Sequence, residues 1–149
     1  AYETQRYDAN MQRWAAAAGD LNPLYFDADF ARAHGHPDVL MPPLFLSTRL
    51  MSVSDPAKLR PDGIPNSMDH AMPLPPRRMA GSEEWNFHAP AYAGDVIHWR
   101  RELVDLEEKA GRSGPFVAIT WVTTYRRLPE ELVAVNINSL LALPLQAGG

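Results

Sequence analysis

Met41-Pro42-Pro43-Leu44-Phe45-Leu46-Ser47-Thr48-Arg49-Leu50-Met51 is the stretch whose reading decides the fold. It predicts a helix that is apolar on nearly all sides, with proline in its first turn, where a missing N–H costs little. A helix of that kind is buried. Upstream, Asp8 can cap a helix over about residues 9 to 18, with Met11, Trp14, Ala15 and Ala18 on one face and Gly19 ending it. Asp27 can cap a second, shorter helix through His34, closed by Gly35 and Pro37. Between the two lies Gly19-Asp20-Leu21-Asn22-Pro23-Leu24-Tyr25. Its Asp, Asn and Pro fall within four positions, so Asx-turn chemistry can fix where a carboxylate points.

Downstream, residues 54–76 are rich in proline with Asp, Asn and Gly among them, which predicts a long irregular excursion. The pattern then changes to strands. Residues 84–88, 96–106, 116–127 and 132–143 are rich in β-branched and aromatic side chains, and 93–95, 111–114 and 128–131 connect them. The last three strands form a long antiparallel meander. Within it Val117, Ile119, Trp121, Thr123 and Tyr125 share one face, and Phe116, Ala118, Thr120, Val122 and Thr124 the other. Helices followed by strands predict an α+β domain, and the chain length of 149 residues predicts one domain over 1–149.

Composition narrows the function. Hydrophobic residues at 46% and charged residues at 21% are ordinary for a soluble globular chain, and no apolar run approaches the roughly 20 residues of a spanning helix. No secretory signal is visible. The absence of cysteine removes thiolate and disulfide chemistry and is compatible with the cytoplasm, the expected location. A net charge of -4 argues against nonspecific nucleic-acid binding, although a local basic spot can still meet a phosphate. There is no Gly-rich phosphate loop, nucleophile elbow or Cys/His metal pattern.

Three separated motifs carry a resemblance that covers nearly the whole chain. They are the Gly19 to Tyr25 loop followed by Ala31 and Gly35, then Val39-Leu40-Met41-Pro42-Pro43-Leu44-Phe45, then a longer region. That region holds Pro76-Arg77-Arg78-Met79-Ala80-Gly81, Trp85-Asn86-Phe87-His88-Ala89-Pro90, Gly94-Asp95, Glu108-Lys109 and Gly111-Arg112-Ser113-Gly114-Pro115. Together they resemble the N-terminal type of MaoC-like acyl-thioester hydratase/dehydratase domain. The third region is also similar to hydratases of short branched unsaturated dicarboxylic CoA thioesters and to mitochondrial-type hydroxyacyl-thioester dehydratases. The resemblance implies a hot-dog fold, in which a curved antiparallel sheet wraps a central helix. It implies an enoyl-CoA hydratase/3-hydroxyacyl-thioester dehydratase activity in fatty acid or carboxylic acid metabolism.

Hydration of a 2-enoyl thioester needs a base for water, an acid for C2, and donors at the thioester oxygen. The resemblance implies that Asp and His of a D-x-N-P-x-H pattern supply the first two, and a backbone N–H near the buried helix the third. Asp20 and Asn22 match that pattern, while Tyr25 stands where the His belongs. A phenol with pKa near ~10 chiefly donates, and losing one acid/base partner forfeits roughly 10²- to 10⁴-fold in rate. Pro42 and Pro43 supply no N–H.

The candidate catalytic residues are therefore Asp20, Asn22 and Tyr25; the candidate substrate contacts are Pro43, Phe45, Arg77, Arg78 and Arg112, the arginines (with Lys109) suiting coenzyme A phosphates. Each has a plainer reading. Asp20 can be a catalytic base, a loop residue bonded to nearby N–H groups, or solvated; Tyr25 can be a packed aromatic; the cations can be solvated surface charge. His34 and His36 sit on a turn without a ligand set, His70 in the excursion, His88 at a strand end and His98 in a strand, and none is singled out as the missing partner. Trp85, Trp99 and Trp121 read as core or interface. No metal and no cofactor beyond a coenzyme A thioester substrate is expected. A self-sufficient Asp20-dependent homomeric hydratase, a noncatalytic acyl-thioester-binding subunit and a hot-dog thioesterase are the alternatives. The leading expectation is a subunit that shapes the acyl pocket beside a catalytic hot-dog partner, acting on an acyl-CoA or acyl-carrier-protein thioester, with neither nucleic acid nor membrane involved.

Overall fold

A computed structural model describes residues 3–6, 10–50, 55–59, 74–112, 114–128 and 130–144. Strand β1 is Glu3–Arg6, followed by helices α1 (Asn10–Ala17) and α2 (Ala28–Ala33) and then strands β2 (Arg77–Phe87), β3 (Val96–Gly111), β4 (Gly114–Arg127) and β5 (Glu131–Leu143). Short 3₁₀ turns occupy Pro23–Tyr25, Pro43–Leu50 and Pro56–Lys58. The strands form one sheet in the order β1-β3-β4-β5-β2. Consecutive strands β3, β4 and β5 are joined by connections too short for a crossover, so the meander is antiparallel as expected. β1 pairs antiparallel with β3, from Glu3 opposite Trp99 to Arg6 opposite Val96.

The chain falls into two compact units. The first holds residues 1–50, 85–101 and 123–136, and the second residues 51–84, 102–122 and 137–149. The core of the first contains Met11, Met41, Phe45, Leu46, Ile97 and Tyr125, with Trp14, Trp85 and Trp99 packed against it. Trp85 and Tyr125 stack at 5.6 Å, and Trp14 meets Phe45 edge-on at 6.0 Å. Near-complete burial of Phe45 contributes about 1.5–3 kcal/mol by removing it from water, and the half-buried Trp14 and Trp85 correspondingly less. In the second unit Gly81 is required by a close approach: a Cβ there would collide with the Ser139 side chain, whose Oγ accepts the Ser82 N–H at 2.7 Å.

Local chemistry explains the helix ends. Asp27 caps α2 as expected, its Oδ1 accepting from the N–H groups of Asp29 and Phe30, both at 2.9 Å. α1 ends in a Schellman motif, with Gly19 N–H donating to Ala16 O at 3.1 Å and Asp20 N–H to Ala15 O at 3.0 Å. Gly19 has φ 74, a backbone state that a Cβ penalises. Met11 and Ala15 are buried and Trp14 half-buried, but Ala18 is exposed. Asp8, the expected cap of α1, lies outside the described residues, as do residues 60–73 of the excursion with His70.

Three expectations need correcting. The helix expected over 41–51 is present as Pro43–Leu50, but it has 3₁₀ geometry and is buried on one side only; Leu44 is 47% exposed while Phe45 and Leu46 are buried. Hydroxyl groups of Ser47 and Thr48 donate to the carbonyls of Leu44 and Phe45 at 2.7 and 2.8 Å, competing for the acceptors an α-helix would use. Strand β2 begins at Arg77 rather than 84, and β3 runs to Gly111 rather than 106. The added segments are almost entirely exposed, so they show no alternation of apolar and polar residues to betray them. β1 was not anticipated, because Glu-Thr-Gln-Arg carries no apolar pattern and is recognised by its backbone pairing to β3.

Candidate active site

The Gly19 to Tyr25 loop is built by consecutive turns. Asp20 Oδ1 accepts from Asn22 N–H at 3.3 Å, and Asn22 Oδ1 accepts from Leu24 N–H at 3.1 Å, capping the 3₁₀ turn whose first residue is Pro23. Tyr25 N–H returns to Asn22 O at 3.0 Å. Two longer-range bonds anchor the loop: Gln12 Nε2 donates to Tyr25 O at 3.2 Å, and Leu40 N–H to Leu24 O at 2.9 Å. Asp20 and Asn22 are exposed and Tyr25 is half-buried. Burial first, and the Asp20 carboxylate second, push the Tyr25 phenol above its ordinary value of 10.0. Near neutral pH it therefore keeps its proton and can donate but not abstract.

Neighbouring histidines are engaged elsewhere. His34 stacks on Phe30 at 4.1 Å with Nδ1 2.8 Å from Phe30 O, and His36 Nδ1 lies 3.3 Å from the Tyr92 hydroxyl. Tyr92 is held in turn by a clamp that sequence reading missed. Its N–H donates to Asp95 Oδ2 at 2.9 Å, and Arg127 pairs with that same oxygen at 2.6 Å, also bonding Glu131. Burial alone would lower the Arg127 pKa, but its bonds to Glu131 and Asp95 outweigh that and raise it. The Gly94-Asp95 motif was the available signal, yet nothing in the sequence shows that Arg127, 32 positions on, is its partner.

The strand ends place a second feature beside this loop's anchor. Leu40 bridges Tyr92, Met41 N–H donates to Ala91 O at 2.8 Å, and Ala93 N–H to Val39 O at 3.1 Å. This pairing fixes the start of the 3₁₀ helix against the turn after β2 and leaves a pocket of about 260 Å³. Met41, Pro43 and Leu46 line one wall; Phe87 through Ala91 form the other, with Val133. Pro43 thus lies on the pocket, as does His88. Phe45 instead belongs to the core, and the pocket wall includes neither Asp20 nor Tyr25.

The basic candidates occur in the second unit. The Arg78 guanidinium donates to Pro75 O, Arg77 is half-buried, and Arg112 is exposed in the β3–β4 connection. Lys109 pairs with Glu107 at 3.0 Å in an exposed setting. No group of three or more metal-ligating side chains occurs among the described residues, and no helix among them is long and apolar enough to cross a membrane.

Comparison with known proteins fits this architecture. The ChsH1-ChsH2 complex from Mycobacterium tuberculosis contains a chain that superposes with a TM-score of 0.77 at 22% identity, covering 99% of this chain and 90% of that one. The fold is thus the α+β hot-dog of MaoC-like dehydratases, as the resemblance implied. In sequence, a UPF0336 protein of Parafrankia sp. (strain EAN1pec) is 33% identical over 138 residues, 89% of this chain and 80% of its own length. A probable enoyl-CoA hydratase alpha subunit of Thermomonospora curvata is 28% identical over 132 residues, 85% of this chain and 41% of its own length. The chain belongs to the FAS1-like family, dehydratase domain region, whose model matches residues 7–135.

Proposed function

We propose that this chain is a subunit of an enoyl-CoA hydratase/3-hydroxyacyl-thioester dehydratase, and that it shapes the acyl site while a second hot-dog subunit supplies the proton-transfer pair. One observation carries the reading. The Asp20 loop keeps its turn-built geometry, yet the position of its proton-transfer partner holds a phenol that burial and Asp20 keep protonated. A carboxylate beside a permanent donor can orient water or a thioester oxygen, but the phenol cannot take up and return a proton near neutral pH as an imidazole does. The similarity to a hydratase alpha subunit, and to a chain solved within a two-component complex, supports a partnered arrangement. In this reading Pro43 lines the acyl site and Phe45 backs it from the core, while Arg77, Arg78 and Arg112 are carried as separate candidates for binding phosphate.

The test is hydration of crotonyl-CoA, followed by loss of the enoyl absorbance, with the chain alone and with a co-expressed hot-dog partner. The expected result is a rate for the chain alone roughly 10²- to 10⁴-fold below that of the pair. An undiminished rate for the chain alone would show that it needs no partner.

A further inference from the structure

Leu40 and Tyr92 face each other in an isolated antiparallel bridge. The bonds across it run between their neighbours, from Met41 N–H to Ala91 O at 2.8 Å and from Ala93 N–H to Val39 O at 3.1 Å. In an antiparallel pair of this kind the N–H groups of the two facing residues point outward, away from each other. Leu40 sends its N–H to Leu24 O, inside the Asp20 loop, at 2.9 Å. Tyr92 sends its own the opposite way, to Asp95 Oδ2 at 2.9 Å, and Arg127 Nη1 meets that same oxygen at 2.6 Å. The Asp20 loop and the Asp95–Arg127 ion pair are therefore the two outer flanks of one bridge.

The Tyr92 flank is tied from several sides. Asp95 N–H returns to Tyr92 O at 3.1 Å, closing a turn through Gly94 at φ 86. The Arg127 and Asp95 side chains are only 22% and 20% exposed, so solvent screens their attraction weakly. Arg127 also bonds Glu131 through Nε at 3.0 Å, and its guanidinium lies 5.6 Å from the centre of the Tyr92 ring. A planar guanidinium suits two carboxylates and a ring face together, which an ammonium does not. On the loop flank, Asp20 is fixed by the end of α1, through its N–H to Ala15 O at 3.0 Å. The other end of the loop is fixed separately, by Gln12 on Tyr25 O and by Leu40 on Leu24 O. A shift of Leu40 thus moves position 25 relative to Asp20.

We propose that Asp95 and Arg127 are positioning residues for the Asp20 loop, acting through Tyr92 and Leu40 to set how the Asp20 carboxylate stands to position 25; the catalytic meaning of that geometry rests on the function proposed above. Amide hydrogen exchange followed by NMR reads the link without turnover. Asp95→Ala is expected to speed exchange of the Leu40 N–H roughly ten-fold, while the Ala18 N–H, bonded to Trp14 O at the end of α1, changes by less than about three-fold. Asp95→Asn keeps an acceptor for the Tyr92 N–H and should restore part of the protection; Arg127→Lys should likewise fall between wild type and Arg127→Ala. Equal acceleration at both amides, as uniform destabilisation gives, or an unchanged Leu40 N–H in folded Asp95→Ala would overturn the proposal. Should Asp95→Ala fail to fold, Asp95→Asn and Arg127→Lys decide by the same comparison.

A second measurement reads the geometry itself. In a Tyr25→His background, the difference in imidazole titration between chains with and without Asp20→Asn is the coupling of positions 20 and 25, which Asp20 already exerts on the phenol. Adding Asp95→Ala should cut that coupling to about half or less, a change that a population of unfolded chains does not produce. An undiminished coupling would overturn the positioning role. Both responses as expected, in a chain that hydrates no crotonyl-CoA with or without a partner, would count against the proposed function and support the positioning.

Discussion

The Asp20 loop and the pocket beside Pro43 lie in the same compact unit and are built on opposite principles. The loop is made of hydrogen bonds within a few residues: Asp20 to Asn22, Asn22 to Leu24, and the Schellman bonds that precede them. Most of its side chains stand in water, Leu24 and Tyr25 being half-buried, and apart from the anchoring bonds from Gln12 and Leu40 its geometry is local. The pocket is walled mainly by apolar side chains, Pro43 and Pro90 among them, and set by backbone pairing between segments that are about fifty positions apart, such as Met41 to Ala91. Polar geometry that positions a carboxylate can be written in seven consecutive residues. An apolar cavity cannot, because its walls come from separate parts of the chain and its emptiness depends on all of them.

If that division is correct, variants in the two regions should fail differently. The largest effect is expected at the pocket floor: Leu46→Ala removes a fully buried side chain and should cost about 2–5 kcal/mol in denaturant unfolding. A loss under about 1 kcal/mol would mean that the floor is loosely packed. Next is Tyr25→His, which supplies the loop with a group that titrates near neutrality. It should raise crotonyl-CoA hydration by the chain alone on the order of 10²-fold, and Asp20→Asn in that background should remove the gain. No gain would break the view of the loop as half of a proton-transfer pair. Asn22→Ala should cost about 1 kcal/mol, since one capping acceptor in a solvated turn is lost, and should leave acyl-CoA binding by the pocket unchanged. Equal damage to both properties would merge the two regions into one.

The smallest expected effect is electrostatic. Because the native state raises the Tyr25 pKa, it holds that proton more tightly than the unfolded chain does. The contribution is therefore complete below about pH 10 and is lost as pH climbs through the raised value. Comparing alkaline unfolding of wild type with Tyr25→Phe should show a slightly steeper decline in the wild type above that pH. Identical curves would show that Asp20 and burial do not act on the phenol.

How much could be read in advance follows from the same contrast. Gly19 as a helix end, Asp27 as a cap, the antiparallel meander and the turn at residues 93–95 are legible, because each is set by a few neighbouring residues. The early start of β2, the extension of β3 and the whole of β1 were not, since exposed strands bury neither face and leave no period-2 signal. The buried segment after Met41 was recognised as helical from its apolar content. Its 3₁₀ winding and its half-exposed Leu44 were decided by hydroxyl bonds to its carbonyls and by the segments packed on one side.

In the candidate site, Asp20, Asn22 and Tyr25 were named from one short motif, and Pro43 from the segment that follows. Neither His88 nor Arg127 carries a local signal that singles it out. Both take their meaning from distant partners, His88 from the pocket it borders and Arg127 from Asp95 and Tyr92. The sequence by itself determined the α+β class, the turn chemistry around Asp20 and the replacement of a titrating His by Tyr25, since these depend on local backbone preferences and residue identity. Tertiary structure alone decided where the apolar cavity lies, which histidine borders it and what holds Tyr92, because burial and pairing are properties of contacts between segments far apart in the chain.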